Sequence, residues 1–418
     1  MKKISAEILS TGDEVLLGAV ADTNSAHIAS VLAGLSMPVS RHTCVGDELS
    51  GLVKVMGDIS KRADVCVVTG GLGPTFDDRS SEAAALACGV KQVLNRDALL
   101  WIEAIFAAWG RPMPESNRRQ AMFPEGAEIL ANPIGTAPGF AVNIGECRFF
   151  FLPGVPREMR LMLADQVIPR LRGLLGDAGH FGTRVISFFG TTEASIGEQT
   201  ADLEGLVPGV TVGLQASFPV IRVKIYARGE SPDETASLLD RAGGIVSERL
   251  FRHVVSLSGK SLEEAAGELL RSRKATLAVA ESCTGGLVSH LLTQVPGSSD
   301  YFLLGAVTYA NQAKTGLLDV SPKTLAEHGA VSEETASEMA EGVRRAAGAD
   351  YGISTTGIAG PAGGSAEKPV GTVCIGLATP EGATATRLYF PFGDRDRNKA
   401  VFAASAINIL RLSLLCVS

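Results

Sequence analysis

Cysteine motifs are missing from this sequence. Cys44, Cys66, Cys88, Cys147, Cys283, Cys374 and Cys416 are odd in number and never in CxxC spacing. That excludes a disulfide framework and a zinc ribbon, and leaves reduced thiols in a cytoplasmic protein as the expectation. A basic stripe is also missing. The net charge is −7, so direct nucleic-acid binding is not expected. No apolar signal core follows Met1–Lys3. The most apolar tail, Ala400–Ser418, carries Asn408 and Arg411 near its middle, which predicts a buried terminal helix rather than a membrane span. A fixed-period repeat is absent as well. What the chain does have is length, 418 residues, and a 45% share of hydrophobic side chains. That suffices for two or three domains, each with its own core. Pattern breaks place them at residues 1–172, 173–255 and 256–418.

The first domain alternates strands and helices, which predicts an open α/β sheet. Glu7–Ser10 reads as a strand, followed by a loop at Thr11-Gly12-Asp13-Glu14. Asp22 and Asn24 precede a helix with Ile28, Val31, Leu32 and Leu35 on one face, and either residue suits its N-cap. Asp64–Thr69 is a continuous apolar run, as in a strand buried on both faces. It empties into Gly70-Gly71-Leu72-Gly73-Pro74-Thr75-Phe76-Asp77-Asp78, a turn that lets a phosphate or ribose approach the backbone. Asp77 and Asp78 either hold a hard divalent cation and orient water or favour a helix dipole. Ligands of open α/β sheets sit beyond the strand C-termini, so both loops can line one pocket. The loops bearing Asn117, Asn132, Arg157 and Glu158 can reach the same rim. Residues 173–255 read as a small α+β connector without a catalytic constellation. An exposed connector and an apolar last helix make a homodimer an expectation.

The last domain is organised around Leu277–Gly286, LAVAESCTGG. It reads as a buried strand, a turn of small residues, then a helix at Leu287, Val288, Leu291 and Leu292. A hydroxyl there either meets an anion or oxyanion at the positive end of the helix dipole, with Thr284, Gly285 and Gly286 around it, or merely caps the helix. The domain's only histidines, His290 and His328, stand outside any motif, so a Ser-His-Asp triad is not expected. A serine–lysine pair is available instead: Ser282 attacks, and a buried Lys314 takes the proton. Tyr309 relays the proton or positions substrate, with Asn311 between it and Lys314. Thr356 and the loop Gly357-Ile358-Ala359-Gly360 polarise a carbonyl or bind phosphate. Cys283 is a rival nucleophile, ranked below Ser282 as a packed thiol.

TGDEVLLG, DTNS, GGLGPTFDD, NPIGTAPGF and LPGVPREM, then ESCTGG, TYANQAK, TTGIAGPAGG and EKPVGTV, occur in that order. Together they resemble the competence/damage-inducible CinA family over nearly the whole chain. The resemblance implies a molybdopterin-binding-like N-terminal domain with metal-dependent ADP-ribose pyrophosphatase activity. It also implies a C-terminal nicotinamide-mononucleotide amidohydrolase that needs no cofactor. Asp13, Glu14, Asp22, Asn24, Asp77 and Asp78 would surround the N-terminal ligand, the carboxylates Asp13, Glu14, Asp22, Asp77 and Asp78 being candidates for a divalent metal, with Asn24, Thr11, Gly12, Gly70, Gly71, Gly73 and Thr75 about the nucleotide. Ser282 would be the nucleophile, activated by Tyr309 and Lys314, with Thr356 at the site and Arg395 or Arg397 on the phosphate. Both activities would serve pyridine-nucleotide salvage. The alternatives are a pterin or molybdenum-cofactor handler and a non-catalytic competence or DNA-damage accessory protein.

Overall fold

The computed structural model describes residues 4–35, 37, 39–175 and 180–416. The Met1–Lys3 start, the middle of the glycine-rich break at 173–182, and the end of the tail at Ser418 lie outside the described residues. The chain divides into two compact units. One is Met1–Gly182 with Arg228–Thr235; the other is Thr183–Ala227 with Ala236–Ser418. Most of the connector therefore groups with the C-terminal domain.

The first unit is built on a six-stranded sheet ordered Val39–Val45, Ala6–Thr11, Val65–Thr69, Cys147–Leu152, Gly139–Ile144, Glu128–Leu130. The first four strands are parallel and the last two antiparallel. Alternation along the strands feeds two cores. Cys66 and Val68 pack with Leu52, Met56 and Phe151 on one face. Val65 and Val67 pack with Ile28, Leu32 and Phe150 on the other. The apolar run at 64–69 is thus explained by cover on both faces. The C-terminal ends of the parallel strands bring the loops after Thr11, Thr69 and Leu152 to one edge.

Four local expectations change. Arg157 and Glu158 lie in the helix Pro156–Met162 rather than in a loop. Asp13–Leu16 is a helical turn rather than a loop. Ser116–Gln120 lies within the 3-10 helix Glu115–Ala121. The helix after the glycine turn begins at Ser80, so Asp77 and Asp78 precede it.

The connector, most of which falls in the second unit, forms a four-stranded sheet ordered Val210–Ser217, Val220–Gly229, His180–Phe188, Val254–Ser256. The C-terminal sheet runs Phe302–Val307, Leu277–Glu281, Tyr351–Gly357, Thr372–Thr379, Gly382–Tyr389. Its first three strands are parallel. Leu277 and Val279 join a core with Phe402, Ile407 and Leu410 of the terminal helix Arg395–Cys416. Ala278 and Ala280 face Met339 and Val343 of the helix Glu333–Ala347. The terminal helix is long and apolar enough to cross a membrane by length and composition. Its apolar side chains instead fill this core, and Arg411 bonds Asn408 at 2.9 Å.

The helix Glu333–Ala347 lies so close to the sheet that a Cβ placed on Gly376 would stand 2.1 Å from the Ala336 carbonyl oxygen. Backbone cannot yield as a flexible side chain does. Gly376→Ala is expected to cost about 1–3 kcal/mol, read as a lower thermal midpoint for the C-terminal unit.

Candidate active sites

The Leu277–Glu281 strand, flanked by parallel neighbours on both sides, delivers Ser282 to a pocket of about 280 Å³. Across it, the strand Phe302–Val307 ends and the helix Asn311–Leu318 begins, carrying Lys314 back toward the turn. Lys314 is 1% exposed. Its Nζ donates to the carbonyls of Thr308 at 2.9 Å and Tyr309 at 3.0 Å, and lies 3.3 Å from Ser282 Oγ. Burial pushes its pKa below the ordinary lysine value, opposed by a Cys283 thiolate. That thiolate does not form near neutrality, because burial pushes the Cys283 thiol up to about 12. Burial therefore governs Lys314. As a neutral amine it has two N–H bonds for the two carbonyls and a lone pair left for the Ser282 hydroxyl.

The neighbouring helix start differs from expectation. Neither Ser282 nor Thr284 caps it. Glu281, fully buried, accepts from the N–H groups of Gly286 at 2.9 Å, Val288 at 3.0 Å and Ser289 at 2.8 Å, and from the Ser289 hydroxyl. The donors expected to hold an anion are thus occupied by the protein's own carboxylate. Gly285 and Gly286 take positive φ but stay off the pocket lining, and Thr284 is buried against Thr355 at 2.7 Å. The structure thus places none of the three on the pocket that Ser282 lines.

Tyr309, Asn311, Thr356, Gly357, Ala359, Gly360 and Arg395 line the same pocket as Ser282 and Lys314. Thr356 spends its hydroxyl proton on the Ala330 carbonyl at 2.6 Å. The Tyr309 hydroxyl lies 3.4 Å from Arg395, so its phenol belongs to the rim and its carbonyl to Lys314. Of the two arginines, Arg395 reaches the pocket and Arg397 does not. The Arg397 guanidinium sits over the rings of Phe218 and Phe392 instead. Sequence reading missed Ala330 and Val331, which complete the wall from a turn without chemical signature. It also missed Asn398, whose buried amide holds the Ala359 carbonyl at 3.0 Å.

The first unit carries a pocket of about 440 Å³ at the C-terminal edge of its sheet. Thr11, Glu14, Asp22, Asn24, Gly70, Gly71, Gly73 and Asp78 line it. Gly12, Asp13, Thr75 and Asp77 do not. Asp13 exchanges bonds with Asp47, at 3.0 Å and 3.2 Å. The Thr75 hydroxyl is held by Asp77 and Asp78, and its N–H by Asp78 at 2.9 Å. Asp22 is the N-cap of the helix Thr23–Ala33 and also accepts from Ser10 at 2.5 Å. Asn24 donates to the Gly154 carbonyl at 2.8 Å, fixing the loop after Leu152. Gly70 turns where an added Cβ would meet the Thr11 carbonyl oxygen at 2.4 Å, so only glycine fits. Glu158 reaches the lining, and Asn132 holds it at 2.8 Å; Asn117 stands behind, bonded at 2.8 Å to Gln120, a lining residue that went unremarked in sequence. Arg157 is exposed and outside the lining.

The divalent metal finds no protein-built cage. Among the described residues no three His, Cys, Asp or Glu side chains are grouped to hold an ion. Asp22 and Asp78 are instead engaged with hydroxyl and backbone donors. These residues do not fit a resident metal, and no step is derived through one.

A CinA-like protein of Desulfosudis oleivorans is 49% identical over 98% of this chain and 100% of its own length. The chain belongs to the CinA family. A CinA-like protein of Geobacter metallireducens is 45% identical over 98% of each chain. The family model described as the CinA C-terminal domain matches residues 259–414, the probable molybdopterin binding domain 7–173, and the damage-inducible protein CinA KH domain 183–256. A solved CinA superfamily protein from Klebsiella pneumoniae is 34% identical over 37% of this chain and 96% of that one, with a TM-score of 0.36. In this CinA-family chain the KH-matched stretch holds no Gly-X-X-Gly, the loop with which KH modules clamp nucleic acid.

The environment of Cys283 makes a direct prediction. With its thiol pushed up to about 12 by burial, its thiolate fraction at pH 8 is about one in ten thousand. Brief iodoacetamide treatment of the folded protein at that pH should label exposed Cys44 and Cys416 and leave Cys283 unmodified, as read by peptide mass spectrometry.

Proposed function

We propose that the C-terminal pocket hydrolyses the carboxamide of nicotinamide mononucleotide to nicotinate mononucleotide and ammonia. The observation that carries this reading is Ser282 beside a buried Lys314 whose other polar neighbours are two carbonyls. Ser282 Oγ attacks the amide carbon while its proton passes to Lys314 Nζ. Lys314 returns the proton to the leaving nitrogen, which departs as ammonia. Water then attacks the acyl ester by the same route and frees Ser282. Arg395 at the rim suits a phosphate on the same substrate. No metal or cofactor enters these steps.

Ser282→Ala should lower ammonia release by about a thousandfold or more, with circular dichroism unchanged. Activity retained in that variant would remove Ser282 from the reaction. The pH dependence has a fixed sign. Lys314 must be neutral to accept the proton, and its pKa is lowered by burial. So kcat/KM should rise with pH through that lowered pKa and level off below the ordinary lysine value. Lys314→Arg, which cannot deprotonate near neutrality, should be inactive throughout.

For the N-terminal pocket we propose a nucleotide diphosphate substrate, with ADP-ribose split to AMP and ribose 5-phosphate. The closely turned backbone at Gly70 and Gly71, beside the carboxylates of Asp22 and Asp78, supports it. Any divalent ion would have to arrive with substrate phosphates completing its coordination. Release of AMP from ADP-ribose should be lowered at least about tenfold by Asp78→Asn, an order-of-magnitude expectation for loss of one positioned carboxylate. The two activities together would place the chain in pyridine-nucleotide salvage.

A further inference from the structure

The arginine that fails to reach the pocket occupies a built position elsewhere in the second unit. Arg397 Cζ lies 4.7 Å from the Phe218 ring centroid and 4.8 Å from that of Phe392. The two rings are themselves 5.3 Å apart and perpendicular. The guanidinium therefore fills the corner between two aromatic faces, an attractive arrangement for a cation. Phe392 belongs to the C-terminal domain. Phe218 does not: it stands at the tip of the connector hairpin, where Ser217 pairs with Val220. Val220 and Phe189 of the connector also pack against the C-terminal core.

The corner sits at the root of the pocket's own elements. Two residues before Arg397, Arg395 donates to the Gly360 carbonyl at 2.6 Å and reaches the Tyr309 hydroxyl at 3.4 Å. One residue after it, Asn398 donates to the carbonyls of Ala359 at 3.0 Å and Phe392 at 2.9 Å. The same short segment thus ties the connector tip, the glycine loop and the rim arginine together. A shift of its backbone moves Arg395 relative to Ser282.

We propose that Phe218 is a positioning residue for the C-terminal site, acting through Arg397 to hold Arg395 where it meets the anionic end of the substrate. The connector is then a working part of that site. This rests on the amidohydrolase reading, and the test separates the two.

In the full chain, Phe218→Ala should raise KM for nicotinamide mononucleotide about tenfold with kcat within about twofold, the signature of lost uniform binding. Phe218→Tyr, which keeps the ring face, should restore the wild-type KM. Hydrogen exchange read on peptides covering residues 357–364 and 392–400 should be faster in Phe218→Ala and normal in Phe218→Tyr. An unchanged KM in Phe218→Ala overturns the proposal, as does a fall in kcat at constant KM. Should wild-type protein release no ammonia at all, the amidohydrolase reading fails. Exchange then decides the positioning claim alone: faster exchange supports it, and unchanged exchange overturns it.

Discussion

A lysine buried to 1% exposure beside two carbonyls and one serine hydroxyl orders the C-terminal half of this protein. Desolvation disfavours the ammonium, while Thr308, Tyr309 and Ser282 at the strand ends place three acceptors within reach of its three N–H groups. The arrangement holds only if the Leu277–Glu281 and Phe302–Val307 strands lie parallel and adjacent, with the Lys314 helix folded back across their ends. The sheet therefore serves to bring together residues 32 positions apart. Burial is what lowers the Lys314 pKa; a solvated lysine keeps its proton near neutrality.

Glu281 plays the complementary part. It occupies the helix N-terminus that would otherwise attract an anion. Arg395 stands on the lining of the same pocket as Ser282. The site is polar in two places: Lys314, its pKa lowered by burial, beside the Ser282 hydroxyl, and Arg395, held by a segment that also touches the connector.

The N-terminal half uses the same plan with different ends. Parallel strands covered on both faces deliver loops to one edge, and Gly70 lets the backbone pass within van der Waals reach of Thr11. Asp22 and Asp78 are engaged with hydroxyls and amides, and among the described residues no three acidic, His or Cys side chains gather on a common point. The constraint there is backbone shape more than charge.

Much of this was legible in the residue order. Apolar runs bounded by glycine announced the central strands, because a strand covered on both faces must be apolar at every position. Ser282, Lys314 and Tyr309 could be picked out because small residues at strand ends and a lysine at a helix start carry chemistry at short range. Glu281 could not be recognised as the cap, since nothing local distinguishes a carboxylate that turns back onto its own helix from one that faces solvent. Arg395 and Arg397 were equivalent in sequence and became opposites in space: two positions along a helix rotate a side chain to another face, and only the packed connector hairpin offered Arg397 its rings. Sequence by itself determined the alternation of strands, the two glycine-rich turns and the family, all of which depend on local pattern. Tertiary structure decided which hydroxyls, amides and charges remain available to a ligand, because that depends on partners distant along the chain.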